Sequence, residues 1–62
     1  MHSDYLSRAQ RALEQAQHFI ALAEKTGDPE VHQQLLSVAQ SYERMSQQFL
    51  ALFAGEKTAP DE

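Results

Sequence analysis

The chain has 62 residues, 42% of them hydrophobic, no cysteine, and a net charge of −4 from nine acidic and five basic side chains. That length allows one small domain, and the lack of cysteine excludes disulfide stapling and thiolate chemistry. The acidic balance gives no global pull toward nucleic-acid phosphates or anionic membrane, so binding of DNA is not expected.

The start, Met1-His2-Ser3-Asp4, has no basic segment leading into an apolar core, and the longest apolar run is Phe49 to Ala54. No signal peptide or membrane span is expected, and a cytoplasmic location follows by default. Ser3 is positioned to cap a first helix with Asp4 in its opening turn, where negative charge meets the positive helix end. This helix is expected over residues 4–25. Three apolar columns recur along it at seven-residue spacing: Leu6, Leu13 and Ile20; Ala9, Ala16 and Ala23; Tyr5, Ala12 and Phe19. Small residues at a repeated position let two helix backbones approach closely.

Residues 26–28 read as a turn. Gly27 suits the left-handed position after a helix end, Asp28 an N-cap, and Pro29 the first helical position with Glu30 behind it. A second helix is expected over residues 29–54, stopping at Gly55, with residues 56–62 as a disordered tail. Its seam reads as Val31, Leu35, Val38, Tyr42, Met45, Phe49 and Leu52, flanked by Ala39 and Phe53, with Leu36 and Leu50 further round. The expected fold is therefore all-α, an antiparallel two-helix hairpin over residues 1–55.

Two helices cannot enclose a core, and both apolar stripes are wider than one helix contact uses. A hairpin consumes one side of each stripe, so a second copy is the natural cover, giving a homodimeric four-helix bundle. Alternating small and large layers also resemble the architecture of Rop, a plasmid-encoded dimer of helical hairpins. In such a hairpin, facing residue numbers add to about 54, which places Tyr42 near Ala12 and Leu13. The alanine leaves room for the tyrosine ring, so Tyr5 and Tyr42 read as packing residues.

Written together, the landmarks are Tyr5-x-x-Arg8-Ala9, Ala23 before the turn, Asp28-Pro29-Glu30, and Leu35-Leu36-x-x-Ala39-x-x-Tyr42-Glu43-Arg44-Met45. This set resembles a group of short helical-hairpin proteins of unassigned function common in alphaproteobacteria. The resemblance covers roughly residues 5 to 45 and implies a fold; it carries no activity. Met45 stands where that pattern usually has leucine, and the segment Phe49 to Phe53 is more apolar.

Groups able to do chemistry are sparse. Glu14 and His18 share a helix face, but two ligands without a third make a weak metal site, so they read as solvated surface. His32 lies at the edge of the second seam near the turn, where packing against a dimer mate suits it better than ligation; His2 lies in a terminus expected to fray. Glu24, Asp28 and Glu30 cluster at the turn, where helix-end electrostatics account for Asp28 and Glu30. No Ser-His-Asp set, glycine-rich phosphate loop or Cys-His pair can be assembled. No catalytic residue, metal ligand or cofactor is expected, and the chain does not read as an enzyme.

Arg8, Arg11 and Arg44 are three of the five basic residues, and the hairpin register sets Arg44 level with Arg11. If they converge, they form a local patch suited to phosphate or carboxylate; surface pairing with Glu14 and Glu43 is the plainer account. Leu50 and Phe53 exceed what the facing start of the first helix can cover, which makes them possible partner contacts. The expected function is a non-enzymatic protein-interaction module, a small homodimeric adaptor or regulator. The alternative is a Rop-like RNA-binding modulator using the arginine cluster.

Overall fold

The computed structural model describes residues 4–58, which form two α-helices, α1 (Tyr5–Lys25) and α2 (Pro29–Thr58). Asp4 is the cap residue of α1 rather than part of its first turn, and its side chain makes no capping hydrogen bond. The cap expected at Ser3 lies outside the described residues. At the other end, Thr26 turns extended (ψ 142°) while its N–H donates to the Leu22 carbonyl at 3.2 Å. The helix thus ends at Thr26 by an extended residue, and Gly27 does not take the left-handed conformation expected of it.

Side chains then tie the turn to the next helix. The Asp28 N–H donates to Thr26 Oγ1 at 3.2 Å, and Asp28 Oδ1 accepts from the Glu30 N–H at 2.9 Å. That carboxylate satisfies a donor the first turn of a helix leaves unpaired, and Pro29 behind it has no N–H to satisfy. The second helix does not stop at Gly55 but runs through it to Thr58. Gly55 has no left-handed backbone, so it continues the helix at the usual entropic cost of about 0.5–1 kcal/mol relative to alanine. Of the tail expected at residues 56–62, residues 59–62 lie outside the described residues.

Hydrogen bonds between the helices mark their register. Ser46 Oγ donates to the Ala9 carbonyl at 2.8 Å, and His32 Nδ1 meets the Ala23 carbonyl at 2.8 Å; in both pairs the residue numbers add to 55. On that register Ala16 is level with Ala39. These small residues are the interior: Ala9, Ala12, Ala16, Ala23, Ala39 and Ser46 are each at most 5% exposed, and among the described residues no large side chain is fully buried. Side chains on a helix lean toward its N-terminus, so on antiparallel helices Phe19 and Tyr42 lean toward each other. Their rings stack 5.6 Å apart near the level of Ala16 and Ala39, while Tyr5 and Phe49 stack at 6.1 Å.

The seam on α2 therefore differs from the one read in the sequence. Leu35, Tyr42 and Phe49 lie within it, half-buried, but its other column is His32, Ala39, Ser46 and Phe53. Val31, Val38, Met45 and Leu52 stand beside the contact, 39–50% exposed. The reason is steric: placing alanine against alanine brings the backbones close, whereas a valine–leucine column facing α1 would hold them apart. On α1 the alanine and aromatic columns face the seam, with Leu6 and Leu13 exposed and Ile20 half-buried. The hairpin is long and thin, 55 × 14 × 11 Å. Its radius of gyration of 15.1 Å compares with about 10.6 Å for a compact domain of this length.

Candidate functional site

A thin hairpin with an alanine seam has two broad sides, and the flanking columns decide what each presents. In an antiparallel pair, the column on one side of the α1 seam faces the corresponding column of α2. The first side carries Leu6, Leu13 and Ile20 from α1 and Leu36, Glu43 and Leu50 from α2, beside the alanine and Ser46 columns of the seam. Its outer edges are mostly glutamines: Gln10 and Gln17 on α1, followed by Glu24 near the turn, and Gln33, Gln40 and Gln47 on α2. Both helices thus contribute large apolar residues over a floor of small ones. Glu43, half-buried, is the one charge in its middle.

The second side is built differently. Its apolar ridge is Val31, Val38, Met45 and Leu52, all from α2, with Leu22 joining from α1. The facing α1 column is otherwise polar, Arg8 and Gln15. Its floor is the aromatic column of the seam, interrupted on α1 where Ala12 falls between Tyr5 and Phe19. That interruption opens a groove of ≈ 260 Å³, lined by Arg8, Arg11, Ala12, Gln15, Tyr42, Met45 and Phe49.

The structure brings together only part of the arginine cluster read in the sequence. Arg8 and Arg11 line the groove, whereas Arg44, although level with Arg11, is exposed on the outward face of α2 and does not. The physical reason is rotational: Arg44 lies 100° of helical turn from Met45, on the side away from α1. Leu50 is 44% exposed on the first side, opposite Leu6, and Phe53 is half-buried in the seam column beyond the level of Tyr5. Three residues apart on α2, the two are neighbours along the rim of the first side, Leu50 the more exposed of them.

His18 is exposed, with its ring edge-on to Phe19 at 5.7 Å, and Glu14 is exposed one turn before it. Among the described residues, no three His, Asp or Glu side chains gather where a metal could be held.

His32 contacts α1 of its own chain. A carbonyl oxygen only accepts, so Nδ1 carries the hydrogen in its bond to Ala23. The bond satisfies one of the last carbonyls of α1, which the helix itself leaves unpaired. His32→Ala is expected to destabilise the protein by about 1 kcal/mol, because it orphans a part-buried acceptor. His18→Ala should leave stability unchanged. Urea unfolding midpoints of the two variants check this, and equal midpoints would remove the role given to His32.

Neither His32 nor Ser46 was singled out as a seam residue by sequence reasoning. The signal was their seven-residue spacing with Ala39, a column that mixes residue types and so escapes a search for apolar periodicity. Among the described residues no helix is long and apolar enough to cross a membrane. The chain matches no protein-family model, no curated protein and no solved structure.

Proposed function

We propose that the protein is a non-enzymatic interaction module that works as a homodimer, two hairpins pairing through the Leu6–Leu13–Ile20 side into a four-helix bundle. The observation that carries this reading is that the hairpin buries alanines and leaves its large apolar residues outside. Among the described residues eight of them are 38–50% exposed, while the buried positions hold only small side chains. Leu6, Leu13 and Leu50 lie on the first side and the other five on the second, so each side presents apolar surface of the kind that another chain covers.

The first side suits self-pairing because a four-helix core draws apolar residues from both helices of each hairpin. Leu6, Leu13, Ile20, Leu36 and Leu50 meet that requirement. Their alanine floor gives a mate room to approach, and the glutamine edges exchange hydrogen bonds with a second copy without repulsion between like charges. Glu24, at the turn end of the α1 edge, and Glu43 are the exceptions, and the long stem of Glu43 allows its carboxylate to reach the edge.

A protein stabilised by its own association melts at a temperature that rises with concentration. The expected result is a helical dimer by sedimentation equilibrium and a thermal midpoint that climbs between 1 and 100 µM, on the order of a few degrees per tenfold step. A cooperatively folded monomer of 7.0 kDa across that range would overturn the reading.

A further inference from the structure

The second side of the hairpin stays uncovered when two copies pair through the first, and its charges are sorted. Of the five basic residues, Arg8, Arg11 and Lys25 all lie along the α1 edge of this side, joined by His18. Glu14 and Glu30 point outward, Glu24 and Glu43 belong to the first side and Asp28 caps α2 in the turn, so among the described residues Asp4 at the helix start is the one carboxylate on that edge. A chain of net charge −4 thus concentrates positive charge beside its longest exposed apolar ridge.

We infer that this side is a docking surface for an acidic amphipathic helix of a protein partner, seated between the Val31–Val38–Met45–Leu52 ridge and the Arg8–Arg11 edge. The inference rests on the chain being a protein-interaction module and names the surface and partner chemistry for it. Four ridge residues at seven-residue spacing span about 31 Å along α2, the length of a partner helix of about 21 residues. Apolar side chains of such a helix, spaced three and four apart, lie against the ridge.

The groove at Ala12 then receives one large side chain, against the rings of Tyr42 and Phe49 and the thioether of Met45. Arg8 and Arg11 stand at the same groove, where their guanidiniums pair with carboxylates within one turn of that side chain. Two guanidiniums over an apolar floor suit a carboxylate beside a hydrophobic anchor. The cations of this edge could also meet phosphates, but a phosphate backbone would leave the Val31–Val38–Met45–Leu52 ridge beside them unused, whereas an amphipathic helix covers both.

The test is selection from a display library of 20-residue helical peptides, with apolar residues fixed at three-and-four spacing and the other positions randomised. The full chain serves as bait, at low salt. Enriched peptides are expected to carry Asp or Glu within one turn of a large apolar residue. A synthetic copy of the strongest should bind at least tenfold more weakly to Arg8→Glu with Arg11→Glu, and more weakly as salt rises. Arg44→Glu should bind it as the original does, and Arg8→Gln with Arg11→Gln should fall between. Circular dichroism and sedimentation on the same samples separate loss of this surface from loss of the dimer. Enrichment of neutral or basic peptides, no enrichment, or binding indifferent to Arg8 and Arg11 would overturn the inference. So would tight, salt-sensitive binding of a structured RNA hairpin by the same arginines, which would make the surface a nucleic-acid site.

Discussion

Ala16→Leu is expected to lower the thermal midpoint steeply, while the same exchange at Ala21 leaves it nearly unchanged. Ala16 is fully buried, level with Ala39, which is 2% exposed. A leucine there has no space to enter and must push the helices apart, taking with it the hydrogen bonds of Ser46 to Ala9 and of His32 to Ala23. Overpacking typically costs about 1–3 kcal/mol, and each kcal/mol shifts the midpoint of a chain this size by about 4–8 °C. Ala21 is exposed on the outward face of α1, where substitutions usually stay within about 0.5 kcal/mol. The chemistry of the two exchanges is identical, so helix propensity cancels and only position remains. Differential scanning calorimetry of both variants decides the matter, and equal midpoints would show that the alanine column does not face α2.

A second contrast separates the two sides of the hairpin. Leu13→Glu is expected to dissociate the proposed dimer, whereas Val38→Glu leaves it assembled. In one hairpin the two residues are similarly exposed, at 44% and 39%, so neither change should differ much in its effect on the hairpin itself. Leu13 lies in the middle of the first side, level with Glu43; a second carboxylate there adds like-charge repulsion to lost apolar burial. Twofold symmetry counts the loss twice. At about 2 kcal/mol per buried leucine, the dissociation constant rises on the order of 10³-fold. Val38 belongs to the ridge of the second side, which the proposed pairing leaves open. Sedimentation velocity at several concentrations reads the outcome. If Val38→Glu dissociates the dimer and Leu13→Glu does not, the faces have been assigned in reverse, and the acidic helix must be sought on the leucine side.

The punctuation of this fold is written in local chemistry. Thr26-Gly27-Asp28-Pro29 can only interrupt a helix and restart it, because proline lacks the N–H and Asp28 offers the capping oxygen. The antiparallel return, the alanine column of α1 and the closeness of the two backbones follow from the sequence for the same kind of reason: they depend on residues near in the chain or repeated at fixed spacing. The end of α2 was less legible. Glycine after an apolar run signals a stop on average, but Gly55 keeps helical backbone here and the helix runs on to Thr58.

The phase of α2 was settled only by the tertiary structure. Two columns compete for its seam, and hydropathy favours Val31, Val38, Met45 and Leu52, the larger and more apolar one. The column that faces α1 is His32, Ala39, Ser46 and Phe53, whose fitness depends on what stands opposite: alanine against alanine, a serine hydroxyl against the Ala9 carbonyl, an imidazole against the Ala23 carbonyl. No property of α2 taken alone encodes those partners. Rotating the helix by that one column also moved the large residues outward and split them between two sides. It set Arg8 and Arg11 beside the apolar ridge and left Arg44 behind it. Sequence periodicity by itself determined that two helices pack; the fit of small residues and two hydrogen bonds across the seam, one buried and one part-buried, decided which faces remain exposed.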